Sequence, residues 1–246
     1  MAGIQRYSSY AFTAFATLHI TNTSIIPLIT RSVPASEKFL LLTRPYYQSS
    51  LMEPLIVILP LFTHIASGIA LRIHRRNKSL VRYGASNLSI LERLSLRPRV
   101  WPPISPTSIA GLILAPLLFG HMFVARILPK QVEGGSSGVG LGFISHGFAK
   151  YPLLSWSWYI ALVGVASTHI VWGWAKWMSW TPTGGQLGSS GNKGRSRRWA
   201  INGVAAAVAT LWMAGGLGVV GRGGKAAGWV AKGWDELYAR VPLPGL

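Results

Sequence analysis

The sequence predicts an all-α membrane protein with five transmembrane helices, and three observations predict it. Half of the 246 residues are hydrophobic and only 12% are charged, against roughly 25% in a soluble domain. Apolar runs of about 20 residues recur, the length a helix needs to cross a hydrocarbon core of about 30 Å. Of the eleven tryptophans, six crowd the two ends of the fourth run, where indole rings settle at the headgroup level.

The net charge of +18 does not point to nucleic acid. The Lys and Arg residues lie between the apolar runs, where cations flank spans and meet anionic lipid. Membrane lipid, anionic lipid included, is therefore the expected partner. With no cysteine in the chain, disulfides, thiolate metal sites and cysteine nucleophiles are excluded. Residues 1–15 hold a single Arg and no signal-peptide cleavage pattern, so either targeting is internal or the N-terminus is trimmed.

The spans follow in order. The first, over 10–30, is rich in Thr and Ser that can bond back to the helix, and Pro27 is expected to bend or end it. A polar connector, 31–50, ends in Tyr46 and Tyr47 as an interfacial anchor. The second span, 51–73, has Pro60 inside it and stops at Arg72, His74, Arg75, Arg76 and Lys78. The long basic connector after it carries a short amphipathic stretch, 89–96, suited to the interface, before Trp101-Pro-Pro breaks regular structure.

The third span, 107–128, contains Pro116 and closes at Pro129. The fourth, 153–178, has tryptophans crowding both ends. The fifth, 199–220, is nearly all Ala, Gly and Val, and Gly203 with Ala207 gives a small-xxx-small spacing that permits close helix contact or an oligomer. Residues 1–222 thus form the transmembrane domain. In the tail, 223–246, Val230, Trp234, Leu237 and Tyr238 share one helical face expected to lie on the membrane surface. The side bearing the N-terminus takes 14 of the 24 Lys and Arg, which places it toward the compartment of synthesis.

Histidine at membrane depth is costly and marks a functional site. The chain places one in each of four successive spans: His19, His64, His121 and His169. His19 and His64 are 45 residues apart and His121 and His169 are 48 apart, the pattern of two up-down hairpins packed as a four-helix bundle with the fifth helix added. Gly68 and Gly173 each follow a histidine by four residues, leaving a gap on the same helix face.

Helix rise puts His64 and His169 at one depth on diagonal helices, while His19 and His121 match more loosely. Two facing imidazoles with room between them are what haem b needs. His64 and His169 are the expected iron ligands, with Gly68 and Gly173 beside them, and His19 and His121 are candidates for a second haem. The bland alternative is that each histidine bonds a Ser, Thr or backbone carbonyl of a neighbouring helix. Met122 and Met213 are read as packing, and His74 and His146 as solvated. All six acidic residues sit at span ends or in loops, so no catalytic constellation emerges.

Two family resemblances follow from these motifs. Phe62-Thr-His-Ile-Ala-Ser-Gly and His169-Ile-Val-Trp-Gly173 resemble the haem-ligand patterns of the cytochrome b anchor subunits of succinate dehydrogenase, which implies a cytochrome-b-like bundle. Trp174-Ala-Lys176 departs from those subunits where Ile-Arg-His stands in them. The five-span plan over 10–220 with its basic connector is similar to fungal mitochondrial outer-membrane adaptors, first known as multicopy complementers of a lost tethering complex. That resemblance implies a non-enzymatic adaptor in lipid homeostasis that recruits a bridge-like lipid-transfer protein at mitochondria-vacuole contacts. Such adaptors dock through a Pro-x-Pro motif expected near the N-terminus; here Pro242-Leu-Pro244 has that shape, and its alternative is a chain-end turn. The alternative is a haem b anchor or electron-transfer subunit of a respiratory or reductase complex.

Overall fold

The computed structural model describes residues 1–95, 104–182 and 192–242. The expected break at Trp101 and the docking residue Pro244 lie outside them. Among the described residues every regular element is helical. In chain order these are α1 (Ala2–Thr30), α2 (Val33–Gln48), α3 (Glu53–Arg82), α4 (Ile90–Ser95), α5 (Pro106–Glu133), α6 (Leu141–Lys150), α7 (Pro152–Trp177), α8 (Asn192–Gly216) and α9 (Gly228–Ala239). Five of them, α1, α3, α5, α7 and α8, are long and apolar enough to cross a membrane.

The spans run longer than the apolar runs. α1 begins at Ala2 because its polar residues are absorbed locally. The hydroxyls of Ser8, Ser9 and Thr13 donate to the carbonyls of Ile4, Arg6 and Ser9, each at 2.7 Å. Pro129 does not close α5 as expected, and at Pro27, expected to bend or end α1, the helix continues to Thr30. Each helix passes its proline through a wider π-turn, Thr21–Ile25 before Pro27 and Phe123–Ile127 before Pro129. Such a turn shifts the hydrogen-bond register where proline lacks its N–H. α3 does the same, with a π-helix over Glu53–Ile58 ahead of Pro60.

The chain divides into two compact units. The first comprises residues 1–17 and 44–105, the second 18–43 and 106–246. In the first, the rings of Phe15 and Tyr47 meet edge-on at 5.3 Å, and Leu80, Ala85 and Leu88 pack where α3 ends. His74 is exposed, as expected.

In the second unit, α7 packs on both α5 and α8. The Trp158 ring fills the space beside Gly120 of α5, and the Trp172 indole N–H donates to Asn202 Oδ1 of α8 at 3.0 Å. These tryptophans therefore hold helices together as well as marking the span ends. The end of α1 packs on α8, where Ser24 Oγ donates to the Trp212 carbonyl at 3.0 Å. The close approach is at Gly215, whose absent side chain makes room for the Ser24 backbone, whereas Gly203 faces open space. The small-xxx-small pair at Gly203 and Ala207 is thus not what seats α8 within the chain.

Two segments read as connectors are helices with partners. α2 occupies most of 31–50, and the Glu37 carboxylate accepts from the Gly142 amide in the first turn of α6 at 3.1 Å. That is a favourable place for an anion, at the positive end of the helix dipole. Leu40, Leu141 and Val220 form a small core there.

α6 corrects the reading of His146, which is fully buried rather than solvated. Its Nδ1 accepts from the Ala226 amide at 3.2 Å and its Nε2 lies 2.8 Å from Asp235 Oδ1 of α9. Lys150 Nζ donates to the same oxygen at 2.6 Å. The apolar face of the tail helix is likewise covered by protein. Leu237, Tyr238 and Val241 are buried with Leu128, Val139 and Phe143, with Trp234 packed against them. Tyr238 stacks on Phe143 at 4.5 Å and donates to its carbonyl at 3.1 Å. Trp229, at the start of α9, is 84% exposed.

Candidate functional site

The four intramembrane histidines are all held by specific partners, and they fall into two kinds. His64 Nδ1 lies 3.2 Å from the Gln5 carbonyl of α1. His169 Nδ1 lies 3.0 Å from the Thr107 carbonyl of α5. A carbonyl only accepts, so in each ring Nδ1 carries the proton and Nε2 carries the lone pair. The carbonyl partner that the bland alternative expected is therefore present. It is also the outer-shell arrangement by which proteins prepare an imidazole as a metal ligand.

His19 and His121 are the other kind. Their rings meet at a centroid separation of 5.9 Å with planes at 61°, and His121 Nδ1 lies 3.3 Å from the hydroxyl of Tyr159 in α7. The looser depth match expected for this pair is overturned: the second unit brings these two rings together. His64 belongs to the first unit and His169 to the second.

The positions repeat. Gln5 precedes His19 by 14 residues, and Thr107 precedes His121 by 14. Both of these histidines begin a His-x7-Pro run that ends at a buried proline, Pro27 or Pro129, after a π-turn. His64 and His169 both lie in Thr-His-Ile-x-x-Gly, at 63–68 and 168–173. The histidine spacing is thus accompanied by repeated local sequence and by the same helix irregularity.

The glycines take different parts from those expected. Gly173 faces open space, and Gly68 has the Gln5 side-chain amide 3.0 Å from where a Cβ would stand. Gly111 of α5, not singled out by the sequence, is the residue His169 needs. A Cβ there would lie 2.8 Å from the imidazole Cε1, so a side chain at 111 would press on the ring that reaches Thr107. Tyr159 was also missed, being one tyrosine among eight in a span read for its tryptophans.

The residues fit an iron porphyrin in their donor chemistry. Among the described residues no cluster of three or more His, Asp or Glu side chains converges as a bare metal ion would require. An iron porphyrin takes only two axial ligands from the protein, and neutral imidazoles with Nδ1 committed are suited to supply them. Pro242 is exposed just beyond α9.

Residues 116–225 match the family model described as MDM10-complementing protein 1, transmembrane domain. No curated protein and no solved structure matches the chain at a significant level. The matched stretch begins in α5 and ends beyond α8. It therefore takes in His121, Tyr159, His169 and the buried His146.

Proposed function

We propose that this chain is a mitochondrial membrane adaptor, seated in the outer membrane and serving lipid homeostasis. The observation that carries the reading is the match of 116–225 to the transmembrane domain of MDM10-complementing protein 1, within a chain of five candidate spans. In this reading the protein recruits a bridge-like lipid-transfer protein at mitochondria-vacuole contacts. Pro242 and Pro244 form the docking motif, following directly on α9. The experiment is expression of the full chain in fungal cells lacking MDM10. Rescue of mitochondrial form is expected, and a correctly localised chain that gives none overturns the adaptor reading. Replacing Pro242 and Pro244 with Ala should abolish recruitment of the lipid-transfer protein while leaving the chain in the membrane.

The body is further proposed to bind haem b, with His64 and His169 as iron ligands in their respective units. The support is the committed Nδ1 of each ring. Haem b, when bound, supplies a one-electron iron couple inside the bilayer. The chain's own residues orient the imidazoles through the Gln5 and Thr107 carbonyls. The histidine geometry also favours a second reading, a haem b anchor of a respiratory or reductase complex. A reduced-minus-oxidised spectrum of the purified chain tests the haem in both. A soluble flavoprotein or iron-sulfur subunit that co-purifies with the chain would replace the adaptor reading with the anchor.

A further inference from the structure

We propose that His19 and His121 are the axial pair of an iron porphyrin, at a level of the membrane separate from that of His169. The inference rests on the haem reading above and assigns, within the second unit, the ligands of a second iron porphyrin.

The first support is ring spacing. Transition-metal to imidazole bonds are about 2 Å, so two imidazoles bound end-on to one iron from opposite faces have centroids about 6 Å apart. The His19 and His121 centroids are 5.9 Å apart. Their planes, 61° apart, meet no obstacle in this, because rotation about the iron-nitrogen axis leaves both bonds intact.

The second support is the hold on His121. Tyr159 engages its Nδ1, which leaves Nε2 as the nitrogen for a metal and fixes the ring plane. Tyr159 is therefore a positioning residue. The third is equivalence. His19 and His121 occupy the same place in the duplicated pattern, each two residues ahead of a π-turn, an irregularity often found at functional sites. A porphyrin presents two like faces, and here two like residues meet.

Depth separates this pair from His169. His169 bonds Thr107, 14 residues before His121, with its ring beside Gly111, 10 residues before it, which is about 15 to 21 Å of rise. One porphyrin does not span that distance through its iron. The same 14-residue interval separates Gln5, the partner of His64, from His19 along α1.

The test uses the full chain in detergent, titrated with haemin, with haem content and low-spin electron paramagnetic resonance as readouts. The expected result is a bis-histidine signal that is lost in both His19→Ala and His121→Ala and survives His169→Ala. Tyr159→Phe should retain the haem and shift the g-values of that signal. Where an alanine variant fails to fold, His19→Gln, His121→Gln and Tyr159→Phe give the same discrimination. Haem retained in the His19 and His121 variants but lost in His64→Ala or His169→Ala overturns this assignment and leaves the haem reading standing. A signal lost in His169→Ala as well overturns the separate level. A wild-type chain that takes up no haemin overturns both readings.

Discussion

His146 reaches from α6 to Asp235 on α9, a contact of 2.8 Å between groups 89 residues apart. The Ala226 amide donates to the other ring nitrogen, so the neutral ring must carry its proton on Nε2 and donate it to the carboxylate. Both nitrogens of a fully buried imidazole are thus committed, one to the segment entering α9 and one to α9 itself. Replacing His146 with Ala would leave the half-buried Ala226 amide without its partner and open a void. The expected cost is on the order of 2–3 kcal/mol. Asp235→Asn should cost less, since Asp235 is one-third exposed. Hydrogen exchange of the α9 amides is the measurement, and unchanged protection in His146→Ala would show that α9 is held by its apolar face alone.

The Asp235 carboxyl is drawn down to about 2, first by the Lys150 ammonium and then by the hydrogen bond from His146. A depressed carboxyl stabilises the folded form above its unfolded pKa and loses that contribution as pH falls through its folded pKa. The Asp235 contribution to α9 docking is therefore complete above about pH 4 and fades toward pH 2. Carbon-detected titration of Asp235 should give a midpoint near 2 that rises toward the ordinary value in Lys150→Ala. A midpoint at the ordinary value in the native chain would mean that the ammonium contact is not formed.

Gly111 and Gly173 should respond oppositely to a single methyl group. Gly111→Ala places a Cβ within 2.8 Å of the His169 ring. The ring must shift, and the bond to the Thr107 carbonyl is weakened with it, at a cost of about 1–3 kcal/mol. Gly173→Ala meets nothing and should be neutral, or stabilising by up to ~1 kcal/mol through helix propensity. Thermal unfolding in detergent, with imidazole nitrogen shifts for His169, separates the two.

The same logic applies to α8. Gly215→Ala collides with the backbone of Ser24, which has no rotamer by which to yield. The end of α1 and α8 must part, losing the Ser24 bond to Trp212. A cost of about 2–3 kcal/mol is expected. Gly203→Ala should cost nothing within the chain. If Gly203→Ala instead changes the oligomeric state, measured by light scattering, the exposed stripe is an intermolecular contact.

The five spans were legible because hydropathy acts over 20 residues and survives local irregularity. The intramembrane histidines were legible because polar groups are rare in such runs. The pairing of His19 with His121 was less so. Reading α1 from residue 10 rather than Ala2 misjudged the depth of His19, and the cause is physical. Ser8, Ser9 and Thr13 count as polar, yet their hydroxyls are spent on the helix itself. The α6 helix was invisible for a different reason. It spans ten residues, including two glycines, and is fixed by Glu37, Ala226 and Asp235, all distant in sequence. His146 therefore looked like a solvated loop residue. Gly111 was equally hidden, since its role is defined by a ring 58 positions away.

The acceptors chosen by His64 and His169 bear on how the two halves could diverge. Gln5 and Thr107 have nothing in common as side chains, yet they do the same task, because each offers a main-chain oxygen. A backbone acceptor persists through every substitution that keeps the helix. After a duplication, the residues around it could drift freely without releasing the imidazole. The selective burden then falls on the histidine and on whatever keeps its path clear, as Gly111 does for His169. The two stretches share only Thr-His-Ile-x-x-Gly, and in each the histidine still reaches a main-chain oxygen.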